Sequence, residues 1–246
     1  MGMSLGRDIC GDPQAASARE WLVCNGLGGY ASGTVSGQPT RGYHGLLIAA
    51  LDPPQDRTLM LVALVEELEV DGARHELATL AWRGGAVAPR GHLLLESFRL
   101  DGGVPTWRYA CGGALLEKRI WMEHGANVTR VEYALLHAAG PARLTLKAIV
   151  DHRSHHARTA VGAFQAQVRI EGDLAEIIAF PGAAPLRIRV DGATAEAAQD
   201  WFRGFDLPRE RERGLSDAED HLHAATFTVT LPPGGTVLVT ASADAP

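Results

Sequence analysis

The chain has 246 residues, of which 23 are basic and 29 acidic, and 46% are hydrophobic; the formal net charge is −6. Charge of this sign, spread along the chain, supplies no basic stripe for nucleic acid or an anionic membrane. Cys10, Cys24 and Cys111 are too scattered for a disulfide framework or a CxxC zinc pair, no apolar run is long enough for a membrane helix, and Met1 to Gln14 lacks a signal-peptide core, so a reduced, cytoplasmic setting is expected.

In chain order, residues 1–17 read as an N-terminal leader, with a short helical signal at 15–20. Residues 20–50 set glycines and polar groups between two apolar runs. Such a segment must turn tightly several times, because glycine alone takes positive φ without steric cost, and its freed backbone groups need partners or a ligand.

Period-two alternation then dominates. Asp-Gly pairs predict a hairpin of 66–70 with 74–77 around Asp71 and Gly72, another of 94–100 with 106–109 around Asp101 and Gly102, and a third after 186–190 at Asp191 and Gly192. Further strands are expected at 115–122, 128–136, 142–151, 164–170, 175–180, 225–231 and 236–241. Residues 130–136 and 143–150 each keep one apolar face, as strands packed on one side do.

The charged stretch 208–223 is interrupted by Gly214, and Ser216-Asp-Ala-Glu219 could cap a helical turn. The pattern predicts an all-β, mainly antiparallel, large two-sheet sandwich over 18–242, with one or two short helices; 243–246 reads as the start of a linker.

Several motifs suggest chemistry. Asn25-Gly-Leu-Gly-Gly-Tyr-Ala31 loosely matches GxGxxA, but Ser32-Gly-Thr-Val-Ser-Gly cannot continue as the helix a dinucleotide site needs. His152, His155 and His156 cluster, as do His221 and His223, without a defined partner set, and no metal or cofactor is expected. The acids nominate no catalytic pair: Glu66, Glu67, Glu69, Glu210, Glu212 and Glu219 read as solvated faces. Rings for sugar stacking are Trp21, Tyr30, Tyr43, Trp107 and Trp201, each with a competing role in the core.

The segments Glu20-Trp-Leu-Val-Cys-Asn-Gly-Leu-Gly-Gly-Tyr-Ala-Ser-Gly-Thr-Val-Ser-Gly37, Thr40-Arg-Gly-Tyr-His-Gly-Leu-Leu-Ile-Ala-Ala50 and Asp151-His-Arg-Ser-His-His156 are similar to the N-terminal domain of bacterial and archaeal glycogen debranching enzymes, the amylo-α-1,6-glucosidase family. Trp201-Phe-Arg-Gly-Phe205 and Glu210-Arg-Glu-Arg-Gly-Leu215 resemble its closing segment. The resemblance runs from about 18 to 242 and implies a galactose-mutarotase-like super-sandwich. It also implies a non-catalytic role, supporting α-glucan recognition and packing against an (α/α)6 barrel that hydrolyses α-1,6 branches, so this chain by itself is expected to be inactive.

The family commonly has a second arginine where this chain has Gly42, so one guanidinium group is missing. The residues carried over are Asn25, Arg41, Tyr43, His44, Arg153 and His156, facing glucan, facing the barrel, or only tying their own loop. Competing readings are a stand-alone carbohydrate-binding or protein-interaction module, and a sugar epimerase using a His acid and a Glu base.

Overall fold

Alternating side chains and turn-forming glycines partition the chain into short antiparallel strands; the computed structural model describes residues 3–244, so residues 1–2 of the expected leader and 245–246 of the expected linker lie outside the described residues. In order the elements are β1 (Ser4–Leu5), α1 (Arg7–Cys10), α2 (Pro13–Ser17), β2 (Glu20–Cys24), β3 (Tyr30–Thr34), β4 (Gly45–Asp52), β5 (Gln55–Val70), β6 (Ala73–Glu76), β7 (Thr79–Ala81) and β8 (Val87–Arg90). There follow β9 (Leu95–Asp101), β10 (Val104–Cys111), β11 (Ala114–Met122), β12 (Val128–His137), β13 (Ala142–Ser154), β14 (Gln167–Glu171), β15 (Leu174–Ile178), β16 (Leu186–Val190), β17 (Thr194–Asp206), α3 (Pro208–Arg211), β18 (Ala218–Leu231) and β19 (Thr236–Ser242).

One sheet has the order β1-β9-β10-β11-β12-β19-β16-β15-β14; the other runs β17-β18-β13-β5-β4-β3-β2, with β6 paired to β5. All pairings are antiparallel, and the short hairpin β7–β8 stands apart. The all-β sandwich is therefore as expected, with three short α-helical turns among the described residues. Among the described residues no helix is long and apolar enough to cross a membrane.

The period of two decides which side chains enter the space between the sheets. On β13, Ala142, Leu144, Leu146 and Ala148 are buried in the main core while Arg143 and Lys147 between them are exposed. Leu47, Leu61 and Leu68 meet Phe98, Leu116 and Val239 there, and Cys10 and Ala16 from the first residues join the same core. A smaller apolar cluster, Ile48, Leu59, Val62, Leu80, Ile149 and Phe205, is formed by alternate residues and is overlaid by Trp82 of the β7–β8 connection.

The first sheet carries cross-strand ion pairs, including Arg108 to Glu117 at 2.8 Å, Arg119 to Glu132 at 3.3 Å and Arg187 to Glu176 at 2.8 Å. Apart from the buried Glu117, these charges are partly exposed and leave that sheet a solvated surface.

The structure departs from the pattern in particular places. The turn at Asp191 and Gly192 does not close a hairpin: Val190 pairs with Val239 in one sheet, and Thr194 with Thr228 in the other. Asp-Gly supplies a tight reversal, but the two flanking strands find longer partners in opposite sheets. The true hairpin in this region joins β14 and β15 at Gly172 and Asp173. Ser216 caps no helix, because α3 ends at Arg211 and β18 begins at Ala218.

Glu66 is buried rather than solvated, with Oε1 accepting hydrogen bonds from Lys118 Nζ and, at 2.9 Å, from the Tyr133 hydroxyl.

Candidate functional site

Strands β2 and β3 form a hairpin whose glycine-rich loop is held from outside. Asn25 is fully buried and its Oδ1 accepts the Leu27 amide at 2.9 Å, while Nδ2 donates to the Ala126 carbonyl and to Asn127 Oδ1, both at 3.0 Å. Asn127 in turn pairs with β4 as a backbone would: Oδ1 accepts from Ala50 N and Nδ2 donates to Ala50 O, each at 2.9 Å. Gly29 is required by this approach, since a Cβ there would lie 2.7 Å from Asn25 Nδ2 and 3.0 Å from Ile48 O.

The connection from β3 to β4 carries Arg41, Tyr43 and His44, and nearly every peptide group in it is tied. Thr40 O accepts from Arg209 N at 3.1 Å, Gly42 N donates to Glu210 Oε1 at 3.0 Å, Gly42 O accepts from Arg153 Nη2 at 2.9 Å, and Tyr43 O accepts from Ser32 Oγ at 2.9 Å. His44 Nδ1 accepts the Thr40 amide at 3.1 Å, which leaves the ring proton on Nε2, 3.6 Å from Glu20 Oε1. Burial lowers the His44 pKa to about 4 despite Glu20, so this imidazole is neutral. Arg41 Nε pairs with the same Glu20 oxygen at 2.7 Å and stays partly exposed.

Behind the connection lies a buried ionic cluster. Arg153 Nη2 is 2.8 Å from Glu219 Oε2, and His221 Nδ1 is 2.8 Å from Asp151 Oδ2 with Nε2 3.4 Å from Glu219 Oε1. Burial by itself would lower the His221 pKa, but Glu219 and Asp151 outweigh it and raise it to about 9. Glu219 is likewise held below its ordinary range against its own burial, by His221 and Arg153.

Asp151, Glu219 and His221 could each offer a ligand atom within 4.8 Å of the others. Two carboxylates already face an imidazolium and a guanidinium, however, so the positive charge a cation would supply is present.

The open side of the connection faces a groove of about 640 Å³ bordered by Glu20, Leu22, Tyr30, Arg41 and Tyr43. A neighbouring depression of about 390 Å³ shares Arg57 and His155 with it and adds His156. Two tyrosine–histidine pairs form the rim: Tyr30 hydroxyl to His155 Nδ1 and Tyr43 hydroxyl to His156 Nδ1, both at 3.0 Å, with the two imidazole centroids 4.1 Å apart. Burial, then the neighbouring His156, Arg57 and Arg153, lowers the His155 pKa to about 4, and burial pushes Tyr30 up to about 12. At neutral pH the rim thus offers the Tyr30 phenol and the neutral His155 imidazole beside Arg41 and Arg57, a set suited to hydroxyl-rich ligands.

Comparison with protein families matches residues 19–238 to the model described as glycogen debranching enzyme N terminal. The chain belongs to that family. No curated protein matches it in sequence. Among solved structures, it is similar to the 4-α-glucanotransferase from Thermococcus litoralis with 10% identity and a TM-score of 0.35, over 73% of this chain and 27% of that one. The chain therefore spans about a quarter of that protein's length.

Within this member of the debranching-enzyme family the six carried-over residues divide. Asn25, His44 and Arg153 are buried and bonded to backbone, whereas Arg41, Tyr43 and His156 reach the groove and its rim. The arginine that is glycine here has a physical counterpart: a Cβ on Gly42 would lie 2.1 Å from the Arg158 guanidinium, which fills that space and approaches Glu210 Oε1 at 3.3 Å.

Glu210 and Glu219, read from sequence as solvated, are 0% and 4% exposed. The period-two spacing of Glu219, His221 and His223 on one strand was a usable signal for the latter; nothing local marks Asn127. Of the proposed stacking rings, Trp21 and Trp107 are core residues in edge contact at 5.4 Å.

Proposed function

We propose that this chain is the non-catalytic sandwich domain of a debranching-type enzyme, and that its groove receives an α-glucan chain presented to a neighbouring (α/α)6 barrel. The observation that carries this reading is the contrast between a backbone at 40–44 tied at most of its peptide groups and the partly exposed Arg41 and Tyr43 side chains that it holds at the groove. Preorganisation of this kind lowers the entropy lost on binding. Tyr43 and Tyr30 supply ring faces for a pyranose, and Arg41, Arg57 and the neutral His155 supply hydroxyl partners. Three free cysteines fit a reducing cytoplasm.

Titration calorimetry of the chain with maltoheptaose tests the reading. Tyr43→Ala and Arg41→Ala should each weaken binding about tenfold, the cost of a lost ring contact or charged hydrogen bond, with little change in melting temperature. No binding by the unmodified chain, or unchanged affinity in both variants, would overturn it.

Leu22 favours a second reading, in which the same rim contacts the barrel: it is 59% exposed on the edge strand β2 and borders the groove. Leu22→Ser in a chain carrying the barrel should then loosen the two domains without weakening glucan binding, as read by limited proteolysis.

A further inference from the structure

Glu210 is fully buried. It sits on the single turn α3 and reaches a loop 168 residues earlier, where Oε1 takes the Gly42 amide at 3.0 Å. The adjacent Arg209 amide holds Thr40 O at 3.1 Å, so one short turn grips two peptide groups on either side of Arg41. Arg158 lies 3.3 Å from Oε1, and Arg213 comes to 3.5 Å from Oε2, which has no hydrogen-bond partner.

A buried carboxylate pays desolvation that its partners only partly return, so its burial is weak evidence for a purely stabilising role. What a carboxylate does here that a methyl group cannot is fix the direction of one amide, and with it the two flanking side chains. Gly42 is the residue between Arg41 and Tyr43, and a rotation of its peptide would swing both away from the groove.

We propose that Glu210 is a positioning residue for the groove: its grip on the Gly42 amide sets the projection of Arg41 and Tyr43 and thereby the affinity for ligand. The inference rests on the glucan reading for its ligand, but the geometry it asserts is separately measurable.

Maltoheptaose affinity of the chain is measured for Glu210→Ala, Glu210→Asp and Glu210→Gln beside Tyr43→Ala, together with the Gly42 amide and the Tyr43 and His156 ring signals by NMR. Glu210→Ala loses the bond and should weaken binding roughly tenfold or more. Glu210→Asp, one methylene too short to reach Gly42, should behave likewise while remaining folded, so the test survives if the alanine variant unfolds. Glu210→Gln keeps a carbonyl acceptor for the amide and should restore binding to within about threefold.

If Tyr43→Ala weakens binding while folded Glu210→Asp binds normally, the positioning role is overturned and the glucan reading stands. If the unmodified chain binds no glucan, that reading fails, and the NMR signals decide the rest: shifted Gly42 and Tyr43 signals in Glu210→Asp support positioning, and unchanged ones overturn it.

Discussion

Asn127 Oδ1 accepts the side-chain amide of Asn25, 102 residues earlier, at 3.0 Å, and joins the glycine-rich loop to the end of the last strand. The same residue donates its backbone N–H to Asp244 Oδ2 at 2.8 Å and accepts the Ala243 amide at 3.0 Å. One buried asparagine thus connects the β2–β3 loop, strand β4 and the residues that follow β19.

Asn127→Ala removes three side-chain hydrogen bonds and leaves Ala50 N, Ala50 O and Asn25 Nδ2 short of partners in a buried place. At about 1–3 kcal/mol for each stranded group, partly relieved by water, the variant should lose roughly 3 kcal/mol or more. Urea denaturation measures the loss, and a cost below about 1 kcal/mol would show that the loop is held by other contacts.

Gly42→Ala forces a methyl group into the Arg158 guanidinium, 2.1 Å from the ideal Cβ position. The flexible arginine can yield, but only by leaving Glu210 with Arg213 as its remaining charged neighbour. A loss of about 1–3 kcal/mol is expected from overpacking and the weakened ion pair. Restored stability in Gly42→Ala combined with Arg158→Ala, by thermal denaturation, would identify the clash as the cause.

Arg153→Lys preserves the charge opposite Glu219 but not the geometry. Lysine cannot reach Gly42 O, Ser154 O and Glu219 at once, as the arginine fork does. A cost of about 1–3 kcal/mol is expected, rising to about 3–5 kcal/mol for Arg153→Met, which strands the buried carboxylates. Hydrogen exchange at the Tyr43 and His44 amides should quicken in both variants.

Stability should fall on both sides of neutrality, for opposite reasons. The folded-state pKa of His221 is raised to about 9, so its contribution is complete below the ordinary value of 6.5 and is lost as pH rises through 9, where the folded chain gives up a proton the unfolded chain has already released. His44 and His155 lie near 4, so between 6.5 and 4 the unfolded chain takes up protons that the folded chain refuses, and stability falls as pH falls. His92, His152 and His223, also lowered by burial, add to the acid limb. Denaturant midpoints measured from pH 4 to 10 should peak where the windows meet, near 6.5; His44→Gln should flatten the acid limb, and His221→Gln the alkaline one from a lower maximum.

The sequence by itself determined the class of fold and the place of the turns, because these are local properties. Alternation on 143–150 names the buried face of β13 before any partner is known, and Asp71 with Gly72 reverses the chain whatever surrounds it. It also carried the family likeness, since the run from Glu20 to Ala50 is continuous.

Only the tertiary structure decided that the strands flanking Asp191 and Gly192 part into different sheets, because pairing energy comes from strands far away in sequence. It likewise separated Asn25, His44 and Arg153, which satisfy buried backbone groups, from Arg41, Tyr43 and His156 at the groove. A polar side chain turns inward where a distant amide or carbonyl lacks a partner, and the distance from Glu210 to Gly42, 168 residues along the chain but 3.0 Å in space, is set by the packing of two sheets rather than by any local pattern.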